Sequence, residues 1–283
     1  MPIRPAEPHD LDAVYELLAE RERAVFGSAS LERGELEHSF ALAGTDHFVA
    51  ASPGIVGYGS LDSARQLDIA SSAAGDELLD ALVVRARARG FEEVSVVVAE
   101  GDLPLDSLVR RAGFEHRGDV LRMWAALDGE PPELRPPGGV TIRAYRLDDA
   151  RRVHALLDEA YAWDDTHAAR PHEDWVQWMT GHDDFDPELW LLAERDGELA
   201  GCALHWRATD GRGWVKDLAV RETERGRGLG RALLHAGFSA YARRGAASVG
   251  LKVDSANPTG AVQLYERVGF VTDRRYGTWV KRL

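Results

Sequence analysis

Leu218-Ala219-Val220-Arg221-Glu222-Thr223-Glu224-Arg225-Gly226-Arg227-Gly228-Leu229-Gly230-Arg231-Ala232-Leu233-Leu234 is the stretch on which the fold of this chain turns. An apolar run ending at Val220 predicts a strand. Gly226, Gly228 and Gly230 predict a tight loop, and Leu229, Leu233 and Leu234 have the spacing of a helix packed on one face. Strand, glycine loop and helix in that order present unobstructed backbone N–H groups and a helix N-terminus, the arrangement that holds a pyrophosphate. Arg225, Arg227 and Arg231 add local positive charge. The competing reading is a solvated Gly/Arg loop with ordinary helix capping. No Lys-Ser/Thr follows the glycines, so a P-loop is excluded. The spacing is not Gly-x-Gly-x-x-Gly, so a dinucleotide fingerprint is excluded too.

Outward from the loop, the second half reads as a strand near 140–144, helices near 148–161 and 171–180, and strands near 189–195 and 199–207. Arg195-Asp196-Gly197-Glu198 joins the last two as a hairpin turn. The strand Trp214–Val220 and a helix near 228–244 follow. A strand at 248–253, a helix near 258–268 and a final strand pair near 270–281 complete the order. Antiparallel strands followed by βαβα predict a mixed sheet with helices on both faces. Upstream, Gly129-Glu130-Pro131-Pro132-Glu133-Leu134-Arg135-Pro136-Pro137-Gly138-Gly139 disfavours helix and central strand alike and reads as a linker.

The segments on either side of that linker resemble each other. Ile3-Arg4-Pro5 with Asp10-Leu11-Asp12-Ala13-Val14 returns 139 residues later as Ile142-Arg143-Ala144 with Asp149-Ala150-Arg151-Arg152-Val153. Ala88-Arg89-Gly90-Phe91 matches Arg243-Arg244-Gly245-Ala246 at an offset of 155, and Val109–Phe114 matches Tyr265–Phe270 at 156. Three matches in one order predict a duplicated α/β unit. The expected division is residues 1–130, a linker at 131–139, and 140–283.

Composition agrees with two globular domains: 283 residues, 45% hydrophobic, 29% charged and only 12 Pro exclude a disordered or fibrous chain. A net charge of −13 argues against nucleic acid or acidic membranes as partners. Cys202 is the only cysteine, so there is no internal disulfide and no multi-cysteine zinc site. The histidines show no metal-ligand spacing, and no metal is expected. The first residues lack a signal-peptide core and no run approaches a membrane span, so a cytoplasmic protein is expected.

Arg225-Gly226-Arg227-Gly228-Leu229-Gly230 resembles the Arg/Gln-x-x-Gly-x-Gly/Ala loop of the GNAT superfamily of N-acetyltransferases, which binds the acetyl-CoA pyrophosphate. Asp217-Leu218-Ala219-Val220 resembles the family's fourth strand. Asn257 through Phe270 is similar to its second motif, Asn-x-x-Ala-x-x-x-Tyr-x-x-x-Gly-Phe. The resemblance implies two tandem GNAT-like α/β domains, each a mixed, mostly antiparallel sheet flanked by helices. It also implies acetyl-CoA as cosubstrate and direct attack by an amine in a ternary complex.

In that family the fourth strand splays from the next. The resemblance therefore gives the backbone of Leu218, Ala219 and Val220 the task of bonding pantetheine and the thioester oxygen. The loop Arg225, Gly226, Arg227, Gly228, Leu229, Gly230 and Arg231 would hold the pyrophosphate. Tyr265 would protonate the leaving thiolate; its other reading is a core tyrosine between Leu264 and Val268. Asn257 would contact the cofactor or cap the helix after Pro258, or both. The base is open between Asp217, a histidine such as His205, and a water chain. Strict alternation leaves the direction of Asp217 dependent on any local bulge. Cys202 reads as a small core residue of its strand.

Trp163, Trp175 and Trp178, interleaved with Asp164, Asp165, Glu173 and Asp174, suit a cationic small-molecule amine, or else are inward-packed aromatics with solvated acids. The offsets place Ala70, Ala73 and Gly75 at the positions of Arg225, Gly228 and Gly230. They place Val109 and Gly101 at those of Tyr265 and Asn257. The first half is thus expected to keep the fold and lose the cofactor chemistry. Tandem GNATs of this kind include the mycothiol synthases, which acetylate a cysteinyl amine on a pseudodisaccharide. Asp184-Phe185-Asp186-Pro187-Glu188 resembles theirs, whereas Trp214 stands where their strand carries an acid. The sequence alone leaves three functions: an N-acetyltransferase for a small primary amine, working as monomer or homodimer; a non-catalytic acyl-CoA-binding sensor; and an enzyme using another acyl-CoA.

Overall fold

The computed structural model describes residues 1–29, 31, 33–41, 44–129, 135–163, 171–181, 184–209 and 211–283; Glu130 to Leu134 of the expected linker lie outside them. Two compact units form. The first comprises Met1–Val120, Asp254–Ala256 and Arg274–Leu283, and the second Leu121–Val253 and Asn257–Asp273.

The first unit holds β1 (Ile3–Pro5), α1 (Leu11–Phe26), α2 (Arg33–Ala41), β2 (Asp46–Ala51), β3 (Ile55–Leu61), β4 (Gln66–Ser71), α3 (Gly75–Ala88), β5 (Glu93–Ala99), α4 (Leu103–Arg111) and the first half of β6 (Glu115–Ala126). The strand order is β1-β2-β3-β4-β5, then the strand Val271–Arg282, then β6. Leu78, Leu82, Val83 and Ala86 recur at helical spacing on α3 and bury that face among Leu61, Leu67, Val94 and Val96. Each large apolar side chain so buried contributes about 1.5–3 kcal/mol. The strand Val271–Arg282 is a single strand. A strand pair was expected near 270–281, but Gly277 sits in register opposite Val98 of β5 and the chain runs straight through it.

The second unit holds the rest of β6, then β7 (Val140–Ala144), α5 (Ala150–Tyr161), α6 (His172–Thr180), β8 (Leu191–Arg195), β9 (Glu198–Thr209), β10 (Arg212–Val220), α7 (Leu229–Arg243), β11 (Ser248–Asp254) and α8 (Ala261–Arg267), after which the strand Val271–Arg282 is β12. The order is β6-β11-β10-β9-β8-β7. Asp196 and Gly197 both take positive φ, 51° and 82°, the turn that suits the twist of the β8–β9 hairpin. One face of the sheet packs on α7 through Leu229, Leu233, Leu234, Phe238 and Tyr241. The other packs on α5 and α6 through Val153, Leu156, Trp175 and Met179. Each unit has one parallel pair, β4 with β5 and β10 with β11, beside the antiparallel ladders β1–β2, β2–β3, β3–β4 and β5–β12 in the first and β7–β8, β8–β9 and β9–β10 in the second.

The duplication is visible atom by atom. Arg4 forks onto both oxygens of Asp10 at 2.6 and 2.7 Å, and Arg143 onto Asp149 at 2.7 and 2.8 Å. The N–H groups of Glu7 and Arg146 each add a bond of 2.8 Å to the same carboxylates. The arginine fork is the main force holding Asp10 and Asp149 down at about 2, against the opposing effect of burial; the backbone N–H adds to it.

Candidate active site

The parallel pairing of β10 with β11 runs only through Arg212↔Ser248, Gly213↔Val249 and Trp214↔Gly250, although β10 continues to Val220 and β11 to Asp254. Beyond Trp214 the two strands have diverged. The Arg221 N–H donates to Ala200 O of β9 at 2.9 Å, so strand alternation directs the backbone groups of Leu218 and Val220 to the opposite edge, into the gap. Arg225 Nε donates to Val220 O at 3.1 Å. Ala219 itself pairs with Cys202 and is core.

The glycine loop ends this strand. After a short turn at Glu222–Glu224, Gly226 and Gly228 take φ of 74° and 83°, a region costly to any L side chain. Gly228 caps α7 without a side-chain hydrogen bond, and the first helical bond is Ala232 N–H to Gly228 O at 3.1 Å. The N–H groups of Leu229, Gly230 and Arg231 therefore point out of the helix without helical partners. Gly230 lies against α8: a Cβ there would stand 2.9 Å from Leu264 Cδ2. Arg225 is spent on Val220 O and Arg227 faces Glu224 at 3.4 Å, so both shape the loop, while Arg231 is exposed beside Gly228.

The first unit contains its own control. At the position equivalent to this loop, the N–H groups of Ala73 and Ala74 are both taken by Ser71 Oγ, at 3.2 and 2.7 Å. The position of Tyr265 is Val109, fully buried in the core. The same strand divergence is present, since β4 and β5 pair only at Gln66↔Ser95 and Leu67↔Val96.

A register shift between Val215 and Asp217 settles the direction of the carboxylate. Val215 pairs with His205 and Asp217 with Leu204, so the ladder gains one residue at Lys216. Val215 packs with Phe238 and Tyr241 on the α7 side. Past the bulge, Asp217 faces α5, where Asp217 Oδ1 accepts a hydrogen bond from the Tyr161 hydroxyl at 3.1 Å. Lys216 Nζ stands 3.4 Å from Asp217 Oδ2 and 5.5 Å from the centre of the Trp178 ring on α6. Tyr265, on α8, is buried against Phe270. Burial raises its pKa, and the negative charge of Asp217 raises it further, so its hydroxyl stays protonated. The Cys202 thiol is pushed up by burial first and Asp217 second, which leaves it a core residue and no nucleophile.

Two expectations need correction. His205 is no base for this site: it is fully buried on the face opposite Asp217, edge-on to Tyr241 and so close to Gly237 that a Cβ there would stand 2.5 Å from its ring. Burial lowers its pKa to about 3, and neither ring nitrogen has a hydrogen-bond partner among the described residues. Asn257 does not cap α8. Its Oδ1 accepts from the Thr259 N–H at 2.9 Å and from the Thr259 hydroxyl, which closes a turn, and α8 starts only after Gly260.

Among the aromatics, Trp175 is core beside His154 and Trp190, whereas Trp178 is exposed. Glu173 and Asp174 are solvated; Asp164 and Asp165 lie outside the described residues. Trp214 packs edge-on to Trp124. Asp186 caps the turn Pro187–Leu189. Tyr161 and Lys216 were missed in the sequence: the first reads as an ordinary apolar position ending a helix, and the second gains its place only from the bulge. No helix among the described residues is long and apolar enough to cross a membrane.

A mixed sheet whose fourth strand parts from the fifth, with a glycine loop and an open helix N-terminus at the mouth of the gap, defines an acetyltransferase of the GNAT class. The chain belongs to that family: the profile of the Acetyltransferase (GNAT) family matches residues 150–270. It is 31% identical to a mycothiol acetyltransferase from Streptomyces coelicolor, over 94% of this chain and 89% of that protein. In structure it is similar to a GCN5-related N-acetyltransferase from Sphaerobacter thermophilus, with a TM-score of 0.82 and 28% identity over 99% of this chain and 95% of the other. A tandem GNAT protein from the clavulanic acid biosynthesis pathway shares the fold, with a TM-score of 0.77 at 16% identity over 99% and 98% of the two chains.

Proposed function

We propose that this acetyltransferase moves the acetyl group of acetyl-CoA to the primary amine of a small molecule, with the chemistry carried by residues within 140–283. The observation that carries the reading is the pair of equivalent loops. In the first unit Ser71 Oγ folds back on the N–H groups of Ala73 and Ala74 and the first turn of α3 carries Asp76 and Glu77, whereas in the second Gly228 caps α7 and the N–H groups of Leu229, Gly230 and Arg231 stand beside the exposed Arg231 side chain. Open N–H groups with positive charge beside them fit a pyrophosphate.

When bound, acetyl-CoA supplies an activated thioester. The Leu218 and Val220 N–H groups stabilise negative charge on its carbonyl oxygen through fixed dipoles. Asp217 accepts the proton of the attacking amine as the N–C bond forms. Tyr265 donates its proton to sulfur as the C–S bond breaks. Because Cys202 is inert, the amine attacks directly and no acyl-enzyme forms. The likeness to the mycothiol acetyltransferase of Streptomyces coelicolor supports one acceptor in particular: the amine whose acetylation yields mycothiol.

The experiment is calorimetry with acetyl-CoA, followed by mass spectrometry of N-acetyl products from a panel of amines that includes the mycothiol precursor. Binding with transfer to an amine supports the proposal. Binding without transfer to any amine defeats it in favour of a sensor, and failure to bind acetyl-CoA defeats the loop assignment.

A further inference from the structure

Two phenols surround one carboxylate at the base of the gap, and the family reading employs only one of them. Tyr161 is the last residue of α5, and its hydroxyl donates to Asp217 Oδ1 at 3.1 Å. The groups facing Asp217 are Tyr161 from α5, Lys216 from β10 itself, Tyr265 from α8 and Cys202 from β9. Lys216 carries its charge on a flexible four-carbon stem beside an exposed indole. Tyr161 is a rigid ring in a packed setting, among the partly buried side chains of the core beneath α5. Burial raises its pKa well above the usual value, and Asp217 and then Tyr265 raise it further, so the phenol remains a donor throughout the working pH range.

We propose that Tyr161 is a positioning residue that fixes the carboxylate of Asp217 for proton transfer from the acceptor amine. The inference rests on the reading of Asp217 as base. Tyr161 bonds Oδ1 and Lys216 donates to Oδ2 at 3.4 Å, so the rigid phenol sets the rotation of the carboxylate and the amine reaches Oδ2 by displacing the flexible lysine. Loss of the phenol should therefore slow transfer at saturating substrate with little change in the affinity for either substrate, because the hydroxyl acts through the base.

The test compares Tyr161→Phe, Asp217→Asn and the double variant, each checked for thermal stability and for acetyl-CoA affinity by calorimetry. Tyr161→Phe should lower kcat about tenfold, with the KM for the amine and the acetyl-CoA affinity unchanged. In the Asp217→Asn background the same substitution should cost less than about twofold, because a positioning residue has nothing left to position. An equal cost in both backgrounds, or a loss carried by KM rather than kcat, overturns the proposal. A fully active Asp217→Asn overturns the base reading, and the inference falls with it for that separate and recognisable reason. Site-specific replacement of Tyr161 by 3-fluorotyrosine keeps both the packing and the donor, so kcat should stay within about twofold of wild type, and a loss equal to that of Tyr161→Phe refutes the role.

Discussion

Replacing His205 by leucine should leave the enzyme active and remove a component of its acid sensitivity. The imidazole is fully buried between β9 and α7, and both ring nitrogens lack hydrogen-bond partners among the described residues. Its pKa falls from 6.5 to about 3, with desolvation as the cause. A histidine with a depressed pKa contributes stability above its unfolded value, and that stability is lost as the pH falls, because only the unfolded chain takes up the proton. Between pH 7 and pH 5 the unfolded state gains about 2 kcal/mol from this one group, at 1.36 kcal/mol per pH unit below 6.5. His205→Leu lacks the group, so its stability relative to wild type should rise by about 2 kcal/mol over the same interval, and it removes two unsatisfied polar atoms. Urea unfolding of both proteins at pH 7, 6 and 5 reads the difference directly, and the slopes of the other nine histidines cancel. Parallel stability curves would refute the buried, neutral imidazole. A folded, acetyl-CoA-binding His205→Leu without turnover would return His205 to the catalytic site.

Gly228→Ala places an L residue at φ 83°, which costs about 1–2 kcal/mol, so acetyl-CoA affinity by calorimetry should weaken about 5- to 30-fold. Gly90→Ala, at φ 76° in another loop, should leave affinity unchanged. Tyr265→Phe should lower kcat by about two orders of magnitude with acetyl-CoA affinity intact; equal losses in both would show that the ring is only packing. Asp149→Asn should cost about 1–2 kcal/mol at neutral pH in denaturant titrations. Because the Asp149 carboxyl is held at about 2 against 3.8 unfolded, that gap should close as the pH falls from about 4 towards 2; a constant gap would show that the Arg143 fork is not its source.

Much of this was legible before any coordinates. Alternating glycines after an apolar run can hardly be other than a strand–loop–helix turn, and the loop forms where Gly226 and Gly228 stand. The repeated Arg and Asp were visible as letters, and the structure shows why both were retained: each arginine needs its carboxylate within one short turn. What escaped notice depends on register. Nothing in Val215-Lys216-Asp217 marks an extra residue in the ladder, yet that residue decides whether Asp217 faces α5 or α7. Asn257-Pro258 reads as a helix start, but the bond from Thr259 competes for the same oxygen and delays the helix to Ala261. Tyr161 carries no sequence signal because its partner lies 56 positions away on another element. Ser71 likewise looks unremarkable until its hydroxyl is seen closing the loop that Gly228 leaves open.

The strand β12 follows every other described element in the sequence, yet it lies against β5 from Tyr276↔Ala99 to Arg282↔Glu93. A ribosome would therefore synthesise most of the first unit long before its sheet could be completed. Until β12 emerges, the apolar edge formed by Val94, Val96 and Val98 waits without its neighbour, open to pairing with any other nascent chain. Emergence of β12, more than that of the segments before it, is then the event that commits the first unit to its fold.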